Sequence, residues 1–140
     1  MMRARVLIAS FLALGAIAIP ALASAGARRV VGNCTKSQVR PAAIILACAD
    51  ANRSLTHLHW SSFGGTTARG SGRYEVNDCT PNCAAGRFHS YPIGLVLSNA
   101  RPCPDGRDDY RSATISFTST RMPGQRSARG QEALSCPLPG

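Results

Sequence analysis

Residues 110–119, YRSATISFTS, alternate with period two. Arg111, Ala113, Ile115 and Phe117 fall on one face, and Ser112, Thr114, Ser116 and Thr118 on the other. Successive side chains of a β-strand point to opposite faces. The stretch therefore predicts an antiparallel strand with one buried and one wet face.

Upstream, residues 100–109 read as a loop, with Pro102, Pro104 and Gly106 around Cys103. Before it, residues 92–99, PIGLVLSN, put Ile93, Leu95 and Leu97 on one face, with Pro92 at the start, where a strand tolerates it. Residues 73–77 read as a short strand with Tyr74 and Val76 together. Residues 62–72, SFGGTTARGSG, hold four glycines and four hydroxyl residues and read as a mobile connector or a bulged strand. They lack the glycine-lysine spacing of a phosphate-cradling loop. Residues 55–61, LTHLHWS, place Thr56, Leu58 and Trp60 on one face and Leu55, His57 and His59 on the other. Residues 43–49, AIILACA, form an apolar run of strand length, suited to burial on both faces or to a short helix. With the turn residues at 50–53 these two runs suggest a hairpin.

Downstream of residue 120 there is no periodicity, and residues 121–140 read as a loose tail, held only if Cys136 is bonded. Residues 26–40 read as a basic arm with Cys34 as its anchor. The expectation is one all-β domain over residues 26–120, a small disulfide-stapled antiparallel sandwich or open barrel of about five to seven strands.

The start of the chain reads as a signal peptide over residues 1–25. Arg3 and Arg5 precede a 14-residue, mostly apolar run at 6–19. That is short of the roughly 20 residues of a spanning helix, and small-x-small cleavage sites follow Pro20. The expected product is secreted and extracellular, with no stable transmembrane anchor after processing.

All six cysteines, Cys34, Cys48, Cys79, Cys83, Cys103 and Cys136, lie beyond the leader. An even count in an exported chain favours disulfides over metal thiolates, and six cysteines allow about 15 pairings. Cys79 and Cys83 either close a small local loop or reach Cys48 or Cys103. The net charge is +9, carried almost wholly by arginine. Arginine forks onto phosphate and carboxylate, so an anionic envelope polymer or a secreted protein is the partner class this charge admits.

Residues 77–92, NDCTPNCAAGRFHSYP, carry a further signal, supported by ACAD at 47–50, WSSFG at 60–64 and ARGSG at 68–72. In these motifs the chain resembles a family of small secreted actinobacterial proteins. The likeness spans residues 47 to about 117, roughly half of the precursor. It implies export and one compact domain. It brings no activity, and so no catalytic residues, and it leaves Cys136 outside.

Three constellations have chemical meaning. His89, Glu75 and Arg87 are the acid, base and phosphate clamp that a small secreted ribonuclease would need. The alternative is a structural His89 packed between Phe88 and Tyr91, with a ring nitrogen on a turn carbonyl and Glu75 paired to an arginine. His57, His59 and His89 are imidazoles that could hold a metal, although H-x-H alone fixes no third ligand. No G-x-S-x-G is present for a serine hydrolase. Trp60, Phe63, Tyr74 and Tyr91 read as core aromatics. No cofactor is expected. The leading expectation is a secreted, non-enzymatic binding or structural module. A ribonuclease is the alternative, and an inhibitor or toxin-like protein using the loop near residues 63–72 is third.

Overall fold

The computed structural model describes residues 29–119 and 122–139, and every regular element among them is a β-strand. The leader expected over residues 1–25 lies outside the described residues. The strands are β1 (Val31–Asn33), β2 (Lys36–Gln38), β3 (Ile44–Ile45), β4 (Arg53–Ser62), β5 (Ala68–Asn77), β6 (Phe88–Pro102), β7 (Asp108–Phe117) and β8 (Arg129–Ala133). Strands β3 to β8 follow one another in a single antiparallel sheet, and β1 pairs with β2. The sheet curls into half a barrel, so of the two expected architectures the open barrel is the one formed.

Over residues 112–117 β7 forms as its alternation requires, whereas the adjacent Asp109 and Tyr110 are both fully buried. Ala113, Ile115 and Phe117 are buried, and the hydroxyl residues between them are half-buried on the outer face. β6 extends this inner face through Tyr91, Ile93, Leu95 and Leu97, which pair with β7 at Ile93↔Phe117, Leu95↔Ile115 and Leu97↔Ala113. β6 is longer at both ends than the sequence predicts. Pro92 lies inside it rather than at its start. The Pro92 carbonyl accepts from the Thr118 amide, beyond the last paired residue of β7. A residue's N–H and C=O leave a strand on the same side, so the donor that proline lacks is missing only where the ladder has ended. The expected loop at 100–109 shrinks to a turn between Pro102 and Asp108.

β4 corrects the predicted alternation. The register shifts between Thr56 and His59, and His57 has a positive φ of 50°. A bulge adds one residue to the strand and changes its phase. Leu55 and Leu58, three apart, are therefore both buried, and Trp60 packs against the same core. β5 makes room for them. A Cβ on Gly72 would meet Leu58, and one on Gly70 would meet Trp60. The glycine-rich stretch is thus divided: residues 63–67 connect β4 to β5, and residues 68–72 are the first half of β5. The apolar run at 43–49 contributes only Ile44–Ile45 to the sheet, with Ile44 buried and Ile45 exposed. With Ile45 exposed, burial on both faces does not arise.

The ends of the domain are more ordered than their composition suggests. Arg129–Ala133, in the segment expected to be a loose tail, is the sixth strand of the main sheet and pairs with β7. Its side chains carry no apolar alternation, so backbone pairing and the burial of Leu134 beside it hold the strand. The expected arm is the β1–β2 hairpin. The three disulfides are Cys34–Cys48, Cys79–Cys83 and Cys103–Cys136.

The two flanks of the curled sheet are joined on its inner side. Arg53 of β4 donates to Glu132 of β8 at 3.1 Å, and the Tyr74 hydroxyl donates to the same carboxylate at 3.2 Å. Arg53 sits opposite Val76, two residues beyond the buried Leu55–Tyr74 pair, while Glu132 sits opposite the buried Ala113. Both therefore point to the concave side, and the ion pair spans the opening of the half-barrel.

Candidate functional site

The stretch at 77–92 forms a disulfide loop between β5 and β6, and two polar side chains organise it. Asn77 is buried. Its Nδ2 donates to Asn52 Oδ1 at 2.9 Å and to the Cys83 carbonyl at 2.8 Å, and its Oδ1 accepts from the Cys79 amide. Asp78 Oδ1 accepts from the amides of Thr80 at 3.1 Å and Arg87 at 3.0 Å, while Oδ2 lies 2.9 Å from His89 Nε2. The bond to His89, followed by those two amides, holds the Asp78 carboxyl down at about 2. Hydrogen bonds to a carboxylate favour its ionised form. Asparagine and aspartate favour such local bonds in turns.

His89 is therefore clasped, but not as the sequence predicted. Its partner is a carboxylate rather than a turn carbonyl, and Phe88 is exposed on the opposite face of β6. Glu75 does not reach it. His89 pairs with Val76, whereas Glu75 pairs with Ser90 on the outer face. One residue of strand parity separates them. Glu75 accepts from the Thr56 hydroxyl at 2.9 Å and forms no ion pair with an arginine among the described residues. Arg87 joins the loop through its backbone amide. His57 and His59 are exposed on β4, and no group of three potential metal ligands exists among the described residues. Tyr74 and Tyr91 belong to the core, with Trp60 and Phe63 packed against it. The loop near residues 63–67 is tied down: the Tyr110 hydroxyl donates to the Gly65 carbonyl at 2.7 Å and accepts from the Gly64 amide.

Two surfaces of the main sheet have features suited to binding. The first is the outer face of the sheet, whose cross-strand register can be read row by row. His59, Ser71, Gly94, Ser116 and Arg129 form one row across β4 to β8. Arg69, Val96, Thr114 and Gln131 form the next. Thr56, Arg73 and Pro92 form a third. Arg69 and Arg129 are exposed and have no carboxylate partner among the described residues. Arg73 is half-buried, and its guanidinium is held by Ser90. Glu75, opposite Ser90, adds an acid to this face, and Thr56 engages it.

Family models, curated proteins and solved structures give no match to this chain.

The second surface is concave. At the disulfide-loop end a cavity of about 270 Å³ is lined by Val76, Asp78, His89, Tyr91, Met122 and Pro123. Its wall is mainly apolar, with the His89–Asp78 pair at the rim. Sequence reading passed over Asn77, Asp78 and Met122. The first two stood unread inside the motif at 77–92, and Met122 lies where no periodicity marks it. The outer arginines were present only as net charge, because their convergence depends on strand register.

Proposed function

We propose that this protein is a secreted, non-enzymatic binding module that holds an anionic polymer on the outer face of its sheet. The observation that carries this reading is the outer-face register: Arg69, Arg73 and Arg129 share one face of the sheet with Thr56, Ser71, Thr114 and Ser116. Arg69 and Arg73 are four residues apart on one extended strand, about 13 Å at the usual rise. The hydroxyls supply hydrogen bonds and the guanidinium groups supply forked contacts to phosphate or sulfate oxygens. Three disulfides are compatible with an extracellular setting, and no helix among the described residues is long and apolar enough to cross a membrane. The resemblance at 77–92 points to export as well. The ribonuclease reading has less support, because His89 and Glu75 lie on opposite faces of the sheet.

The test uses linear polyphosphate as the probe. Binding should weaken steeply as salt rises from about 50 mM to 200 mM, as expected when cations displace condensed counterions. Replacing Arg69, Arg73 and Arg129 together by Ser should lower the salt slope by up to about three, one per lost contact, without changing the fold by circular dichroism. Salt-independent binding, or an unchanged slope in the triple variant, would overturn the reading. So would RNA cleavage by the pure protein that disappears in a stably folded His89→Gln variant.

A further inference from the structure

On the concave side of the sheet, away from the arginine face, one polar atom is out of place. Gln125 Oε1 is buried and has no hydrogen-bond partner, and it is the one such side-chain atom among the described residues. An unsatisfied buried acceptor costs free energy, and native structures keep few of them. Gln125 borders a small cavity of about 40 Å³ whose other walls include Tyr74, Ile115, Phe117, Met122 and Glu132. Met122 also lines the 270 Å³ cavity that opens beside His89. The two spaces are therefore neighbours that share one side-chain wall. Methionine is the side chain best able to yield there, being unbranched and adaptable.

The wall chemistry is specific. Tyr74, Tyr91 and Phe117 pack edge-to-face, with Tyr74–Phe117 centroids 5.8 Å apart and Tyr91–Phe117 centroids 6.1 Å apart. They present an aromatic surface to the concave side. The Glu132 carboxylate is occupied by Arg53 and the Tyr74 hydroxyl, so it does not compete for a guest's proton. The acceptor left without a partner is Gln125 Oε1. We infer that the concave side of the half-barrel is a binding site for a small aromatic molecule carrying one hydroxyl. The ring would enter past His89 and displace the Met122 side chain, and the hydroxyl would donate to Gln125 Oε1. A ring of this size fits the combined space, and aromatic walls with one placed polar group are the usual make-up of a small-molecule pocket.

Phenol is the probe, with toluene as the isostere that lacks the donor. Titration of the full mature protein, followed by NMR of the Met122 methyl and the Gln125 side-chain amide, should show phenol shifting both signals. The preference for phenol over toluene should fall about ten-fold in Gln125→Met, the size expected when one buried hydrogen bond is removed. A Met122→Ala variant should bind phenol at least as well as the parent, because it widens the passage. If phenol leaves both signals unmoved, or if phenol and toluene bind alike in the parent, the site is not built for a donor. In either case the proposal is overturned.

Discussion

Two aspartates show how the same side chain takes opposite electrostatic roles. The Asp78 carboxylate receives His89 and two amides, which pull its proton affinity from the ordinary 3.8 down to about 2. A depressed carboxyl stabilises the fold at pH values above its unfolded value, and that contribution is lost as pH falls through the folded value. The disulfide loop should therefore loosen between about pH 3.8 and pH 2. Melting temperature measured from neutral pH downward should drop more steeply across that window in the parent than in Asp78→Asn. Equal slopes would show that the clasp adds nothing to stability. Asp109 is fully buried under the β1–β2 hairpin, with Ser37 donating to it at 2.8 Å. Burial foremost, with the nearby Asp105 charge, pushes its carboxyl up, against the pull of Ser37, Arg107 and Arg111. A raised carboxyl costs stability when ionised, and the cost disappears as pH falls below the unfolded value. Asp109→Asn keeps an acceptor for Ser37 and removes the charge. It should hold or raise stability at neutral pH, with the advantage shrinking toward acid. A large loss at neutral pH would mean that the ionised form is required.

At the scale of strands, β7 is the sharpest test because its two faces differ so clearly. Phe117 is 9% exposed and packs edge-to-face against Tyr74 and Tyr91. Phe117→Ala removes transfer energy and leaves a cavity, and should cost about 3 to 5 kcal/mol. Thr114 lies on the opposite, outer face, and Thr114→Ala should stay within about 0.5 kcal/mol. Similar losses from the two in urea denaturation would contradict the register. The same strand explains what was legible in the sequence. Residues 110–119 carry strict alternation and no glycine, so local pattern and tertiary need agree. β4 was misread because the bulge at His57 changes the phase, and the sequence LTHLHWS fits an unbroken alternation equally well. β5 was half hidden because Gly70 and Gly72 serve neighbours: they are small so that Trp60 and Leu58 can lie over them. β8 had no signature at all, because its place is set by pairing to β7 and not by its own side chains. The candidate site fared likewise. His89 was found by its setting, but its true partner sits eleven residues earlier in the turn, and the outer arginines converge only through register.

For the whole molecule the question is what keeps the half-barrel closed. Two devices compete. The Arg53–Glu132 pair spans the opening, but the Arg53 side chain is 45% exposed. Such pairs are worth about 0.2 to 1 kcal/mol after screening. Glu132→Gln, which leaves an acceptor for Tyr74, should therefore cost about 1 kcal/mol or less. The Cys103–Cys136 disulfide closes a much longer segment, with a sequence separation of 33. On the chain-entropy model it is worth about 3 to 4 kcal/mol, against about 2 for Cys79–Cys83, whose separation is 4. The longer bridge also holds more structure. It anchors the segment after β8, where Leu134 is buried, the Ser135 carbonyl lies against Gly32, and the Leu138 amide donates to the Cys34 carbonyl at 2.7 Å. Losing the bridge frees this strap, unpins the β1 turn from it and weakens the edge strand that carries Glu132. The expected order of loss in urea denaturation is Cys103→Ser/Cys136→Ser first, Cys79→Ser/Cys83→Ser second and Glu132→Gln last. If Glu132→Gln costs as much as the Cys103/Cys136 pair, closure is electrostatic, and the C-terminal strap is an ornament of the fold rather than its fastening.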